Sequence, residues 1–181
     1  MKGIVFNLLE QVVSDEYGED AWDTLLARAD VDGSYTSLGS YADEDMAALV
    51  AAASQELSVD PDEVVRWFGQ RALPLLAQSY PGFFNEHTST QSFLLTLNNI
   101  IHPEVRKLYP GADVPVFHFD LHPSGKRLVM SYESNRGLCA FGEGLIEGAA
   151  AHYGEHASIV QPRCTKRGDE RCVLEISFSR D

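Results

Sequence analysis

Apolar and polar positions recur with two different periods along this chain, and the change falls near residue 112. Before it the pattern is helical, with apolar residues three and four apart. "MKGIVFNLLEQVV" reads as a first helix. Asp60-Pro61-Asp62-Glu63 marks a helix start: an N-cap acid, proline at the first helical position, and acids in the first turn. The following "EVVRWFGQRALPLLAQSY" is apolar over most of its surface, which predicts burial, and Gly69 and Pro74 within it predict a bend. "STQSFLLTLNNIIHPEVRKLYPGA", from Ser89, predicts another helix that ends at Pro110-Gly111.

After residue 112 the period drops to two. "PVFHFDLHPSGKRLVMSYESN" predicts a hairpin turning at Ser124-Gly125. "GLCAFGEGLIEGAAAHYG" returns to helix, with small residues that permit close packing. "ASIVQPRCTKRGDERCVLEISFS" predicts a second hairpin turning near Arg167-Gly168-Asp169. Helices, hairpin, helix, hairpin is the order of an α+β fold with an antiparallel sheet. There is no repeat, low-complexity tract or linker, so the 181 residues read as one domain.

Composition narrows the partners. The hydrophobic fraction of 44% is that of a folded chain, and the formal net charge is -13. Such a charge repels phosphate backbones and anionic lipid, which excludes nucleic acid and membrane surfaces as expected partners. The acidic runs "SDEYGED", "YADEDM" and "VDPDEV" read as helix N-termini and a solvated face. The apolar N-terminus is too short to span a bilayer and lacks a signal-peptide pattern. Three cysteines without a secretory signal point to a reducing, cytoplasmic setting.

The candidate chemistry starts at "SYESNRGLC". On a strand, Tyr132, Ser134 and Arg136 share one face. All three donate hydrogen bonds and Arg136 is permanently charged, which suits carboxylates or phosphates. A solvated edge-strand face is the plain alternative. His102, at or near the end of an apolar helix with Leu95, Asn98 and Asn99 on its side, is equally ambiguous alone. Together they fit haem b, whose iron takes an axial imidazole and whose propionates suit an arginine fork flanked by hydroxyls. Pro103 disfavours α geometry at His102, so a kink or helix restart is expected there.

With "MKGIVFNLL", "FGQRALPLL", "IIHPEVRKLYPGADVP" and "SYESNRGLCAFGEGLIEG", nearly the whole chain resembles the haem nitric oxide/oxygen binding (H-NOX) domains, related to the haem domain of soluble guanylate cyclase. The resemblance implies an α+β fold with a helical subdomain over about 1–65 and a haem-enclosing remainder over about 66–181. It implies His102 as proximal ligand, Tyr132, Ser134 and Arg136 on the propionates, and Pro115 pressing on the haem. Phe141 matches the distal tyrosine of members that bind O2, and Leu8 and Ala72 match other distal polar positions. Ile4, Leu76 and Leu145 are further expected pocket liners. Without a donor there, stable O2 binding is not expected, whereas NO and CO are.

Some bacterial members carry a Cys3His zinc site, which implies zinc at Cys139, Cys164 and Cys172. Gln161 stands where their histidine falls, and His118, His122, His152 and His156 are other candidates for the fourth ligand. Buried thiols and a redox pair at Cys164 and Cys172 are the alternatives. The implied function is a stand-alone, non-enzymatic gas sensor, with a histidine kinase or a cyclic-di-GMP enzyme as effector. A haem peroxidase, an NO-consuming oxidase, or a haem-free module that binds an apolar acid are the competing functions.

Overall fold

The computed structural model describes residues 1–121 and 127–180. Helices α1 (Gly3–Tyr17), α2 (Glu19–Ala29) and α3 (Asp43–Leu57) pack around Phe6, Leu9, Val12, Trp22 and Leu49. Helix α4 (Pro61–Ser79) follows, capped by Asp60, whose Oδ1 accepts from the Asp62 N–H at 2.8 Å. It runs unbroken through Pro74 and through the subdomain boundary expected near residue 65. Its Phe68 and Ala72 complete the helical core, while its Leu73 and Ala77 enter a second core.

That second core lies against the sheet. The short helices α5 (Pro81–Phe84) and α6 (Thr90–Leu94) lead into a π-helical turn, Leu97–Ile101, and then α7 (His102–Leu108). The helix expected from Ser89 is therefore three pieces, and the change from π to α falls at His102, next to Pro103. Strands β1 (Val116–Leu121) and β2 (Arg127–Glu133) pair antiparallel, with Phe117 opposite Tyr132. Helix α8 (Cys139–His152) separates them from β3 (His156–Arg163) and β4 (Cys172–Ser179). The sheet order is β1-β2-β4-β3, every pair antiparallel, as the α+β reading requires. Leu128, Met130 and Tyr132 of β2 and Cys172, Leu174 and Ile176 of β4 alternate into the core. Between β3 and β4 the chain turns through Thr165–Arg167 and Gly168, whose φ of 93° places it in the left-handed region. The expected Ser124-Gly125 turn lies outside the described residues.

Gly69 does not serve a bend. A Cβ there would sit 2.6 Å from the backbone oxygen of Phe141, and one at Gly144 would strike the backbone oxygen of Arg66. Helices α4 and α8 thus touch backbone to backbone, and Gly148 extends the seam beside Leu73 and Gln70. At its edge Arg66 Nε donates to Glu147 Oε2 at 2.9 Å and pairs with Glu143 at 3.3 Å. Gly144→Ala should lower stability by at least about 1–3 kcal/mol, since neither backbone can yield without parting the helices. Gly142→Ala, with open space at its Cβ, should be neutral or stabilising by about 0.5–1 kcal/mol. Denaturant midpoints of the two variants against the unmodified chain are the measurement.

Candidate functional site

Between the two cores lies a cavity of about 340 Å³. That is within the roughly 300–1,000 Å³ of small-molecule sites. Ile4 and Leu8 of α1, Phe68 and Leu76 of α4, and Phe141 and Leu145 of α8 form its helical walls. Phe141 stacks on Phe68 with ring centroids 5.0 Å apart. None of the side chains that α1, α4 or α8 contribute to the lining carries a hydrogen-bond donor. Ala72, expected at the distal side, is fully buried in the helical core and is not among the residues that line the cavity.

His102 faces this cavity from α7. Its Nδ1 is buried and has no hydrogen-bond partner among the described residues. Burial pushes the imidazole down to about 4, the Arg106 charge adds to this, and the Pro115 backbone carbonyl opposes both. The ring is therefore neutral at pH 7, the form that ligates metals. Pro115 lines the cavity as expected. Phe117, which the sequence reading passed over, packs its ring 5.5 Å from the imidazole and 5.7 Å from Tyr132.

The row Tyr132, Ser134, Arg136 does line one cavity, but not by strand alternation. Strand β2 ends at Glu133, so Ser134 and Arg136 lie in the turn that follows. The Arg136 N–H donates to Ser134 Oγ at 3.3 Å, a local side-chain turn that carries the arginine back over the cavity. Burial raises the Tyr132 phenol, with the Ser134 hydroxyl working against it. The arginine is held by two acids that the sequence reading missed. Its Nε donates to Asp43 Oδ2 at 2.8 Å, and its Nη1 to the Asp113 carbonyl at 2.6 Å. Burial alone would raise the Asp43 carboxyl, but bonds from the Met1 ammonium and Arg136 outweigh it and hold it below the usual range. Arg136 Nη2 also pairs with Asp113 Oδ2 at 3.6 Å, and the planar fork of five N–H donors suits a ligand carboxylate as well. Nothing local in the sequence links Asp43 to Arg136. Tyr80 and Tyr109, also unforeseen, line the cavity with their hydroxyls bonded to each other.

These residues fit haem b. The helical walls are apolar, a neutral imidazole with a buried Nδ1 that lacks a hydrogen-bond partner among the described residues lines the cavity, and a phenol, a hydroxyl and a guanidinium line it too. His102, Tyr132, Ser134 and Arg136 are the residues that could hold it.

The cysteines also meet. The Sγ atoms of Cys139, Cys164 and Cys172 lie within 4.8 Å of one another and all three residues are buried. Burial pushes the Cys139 thiol up to about 12, whereas for Cys172 hydrogen bonds from Thr165 outweigh burial and lower it. Gln161 sits beside the cluster: its Oε1 accepts from Arg167 at 3.4 Å, and its amide, close to Cys139, opposes the upward push of burial on that thiol. No histidine joins the three sulfurs among the described residues. His118 lies exposed beside Glu133, His152 packs on Phe84 and Tyr153, and His156 opens β3, opposite Ser179. His122 lies outside the described residues.

Among the described residues no helix is long and apolar enough to cross a membrane. Three solved structures are similar over nearly the whole chain. An H-NOX protein from S. oneidensis in the Fe(II)NO ligation state is 32% identical with a TM-score of 0.93, covering 99% of this chain and 100% of that one. The H-NOX domain from Shewanella oneidensis in the Fe(II)CO state is 32% identical with a TM-score of 0.89, covering both chains fully. The Fe(II) unliganded H-NOX protein from K. algicida is 28% identical with a TM-score of 0.88, covering 100% of this chain and 98% of that one. The family model described as Haem-NO-binding matches residues 2–161, so the chain belongs to that family, the H-NOX haem-based gas sensors.

Proposed function

We propose that this protein senses nitric oxide through one haem b held by His102 on one side and by Tyr132, Ser134 and Arg136 at its propionates. The observation that carries the reading is that a neutral His102, its buried Nδ1 without a hydrogen-bond partner among the described residues, lines the same largely apolar cavity as Arg136. Haem, when bound, would supply an iron that takes the His102 imidazole and a diatomic gas as ligands. The protein's own residues do the rest. Arg136 offers a planar fork of N–H donors, and the Tyr132 and Ser134 hydroxyls add to it. Pro115 stands beside His102 and limits how flat the ligand lies. The walls from α1, α4 and α8 exclude water and offer no proton to bound O2. NO and CO do not need that proton, so the same walls favour them.

The absence of a titratable side chain on those walls also argues against a peroxidase or an NO-consuming oxidase, which needs acid–base help over the iron. A sensor needs two states instead. With haem bound, His102 would tie α7 to the cofactor and Tyr132, Ser134 and Arg136 would tie it to the sheet side, so loss of the His102 hold on NO binding would free α7 alone. A cytoplasmic histidine kinase or cyclic-di-GMP enzyme is the effector we favour for reading that difference. Zinc is a second assignment, at Cys139, Cys164 and Cys172, carried by three buried sulfurs within 4.8 Å.

Each part has its own test. The purified protein should carry one haem, and His102→Gly should lose it unless imidazole is supplied; an unchanged absorption spectrum in that variant without imidazole overturns the ligand. Mixed with air, the ferrous protein should oxidise without a lasting oxy spectrum, while Phe141→Tyr is the variant in which one should emerge. A stable oxy form of the unmodified protein would overturn the NO assignment. Metal analysis of freshly purified, tag-free protein should find close to one equivalent of zinc, and three free thiols without zinc would leave the cysteines purely structural.

A further inference from the structure

His102 is reached through an unusual piece of backbone. Its N–H donates to Leu97 O, five residues back, and the Ile101 N–H donates to Thr96 O at 3.1 Å in the same register. This is a π turn, a rare form that concentrates at functional sites. Pro103 explains its position. A proline ring presses on the carbonyl four residues earlier, here that of Asn99, and an extra residue in the turn relieves the pressure.

A π turn needs something to hold it, because an α turn is the better-bonded alternative. Asn98 lies within this one, and its side chain is bonded across to β1. Its Oδ1 accepts from the Phe117 N–H at 3.2 Å and its Nδ2 donates to the Phe117 carbonyl. Strand β1 is at the edge of the sheet, so the outward backbone groups of Phe117 have no strand to pair with and take this amide instead. The ring of the same Phe117 packs on the His102 imidazole. One residue is thus fastened to the turn by its backbone and to the histidine by its side chain.

We infer that Asn98 is a positioning residue for His102: its amide, paired with both backbone groups of Phe117, fixes the π turn and with it the direction in which the imidazole enters the cavity. Collapse of the turn to α geometry removes one residue from it and swings His102 by about 100° relative to the preceding helix. The inference rests on His102 as the haem ligand.

The test compares Asn98→Leu, which keeps the volume and loses both bonds, Asn98→Asp, which keeps only the acceptor, and Asn99→Leu, a control at an exposed neighbour. In haem-free protein, the Phe117 and His102 amide protons should exchange about tenfold faster in Asn98→Leu, the factor that ~1.4 kcal/mol gives. In ferrous haem-loaded protein, the iron–histidine stretching band should shift or broaden in Asn98→Leu, less in Asn98→Asp, and not in Asn99→Leu, with haem stoichiometry held near one. Should Asn98→Leu fail to fold, Asn98→Asp alone decides between a moved and an unmoved band. An unchanged band and unchanged exchange in the Asn98 variants, or the same changes in Asn99→Leu, would overturn the inference. If the unmodified protein takes no haem, the cofactor assignment falls, and the exchange arm still decides whether Asn98 holds the turn.

Discussion

The backbone contact between α4 and α8 is the constraint on which the cavity depends. With no side chain at Gly69 or Gly144, the two helices close to main-chain distance, and their remaining side chains are pushed outward to either side of the seam. On one side Phe68, Leu76, Phe141 and Leu145 become a continuous apolar wall. On the other, Arg66, Glu143 and Glu147 form an ion-paired edge that meets solvent. A methyl group at the seam would part the helices and open the wall. Helix α4 also supplies side chains to both cores, so the seam fixes the helical layer and the sheet layer against one another.

Much of this was legible in the sequence, for local reasons. The Asp60-Pro61 start, the period change near residue 112 and the two hairpins are encoded by neighbouring residues, and the structure has them where the pattern places them. Spacing grouped Tyr132, Ser134 and Arg136, the resemblance to the H-NOX domains singled out His102 and Pro115, and all five line one cavity. What escaped depends on distance along the chain. The approach of Asp43 to Arg136 spans 93 residues and leaves no trace in either neighbourhood. Gly69 looked like a bend because its partner backbone, at Phe141 and Gly144, is far away in sequence. The row at 132–136 has a strand's spacing, yet only its first member is on the strand; Ser134 closes a turn on Arg136 instead.

The cysteines illustrate the same divide. Cys164 and Cys172 bracket a visible turn, while Cys139 arrives from the start of α8. Their convergence is a property of the packed sheet and helix. So is the environment that sets them apart: Thr165 donors act on Cys172, and burial dominates at Cys139. Two chemically identical side chains in one cluster, Cys139 and Cys172, therefore do not share one proton affinity.

Arg136 is anchored to α3 through Asp43 and to the segment before β1 through Asp113, and it also lines the cavity. A single cation so shared makes those contacts thermodynamically linked. A carboxylate arriving in the cavity draws on the same positive charge that holds the first residue of α3. Whatever strengthens one hold must alter the other by an equal free energy, in whichever direction the change is made. The guanidinium is thus a junction at which the occupancy of the cavity and the seating of a helix are written in the same variable.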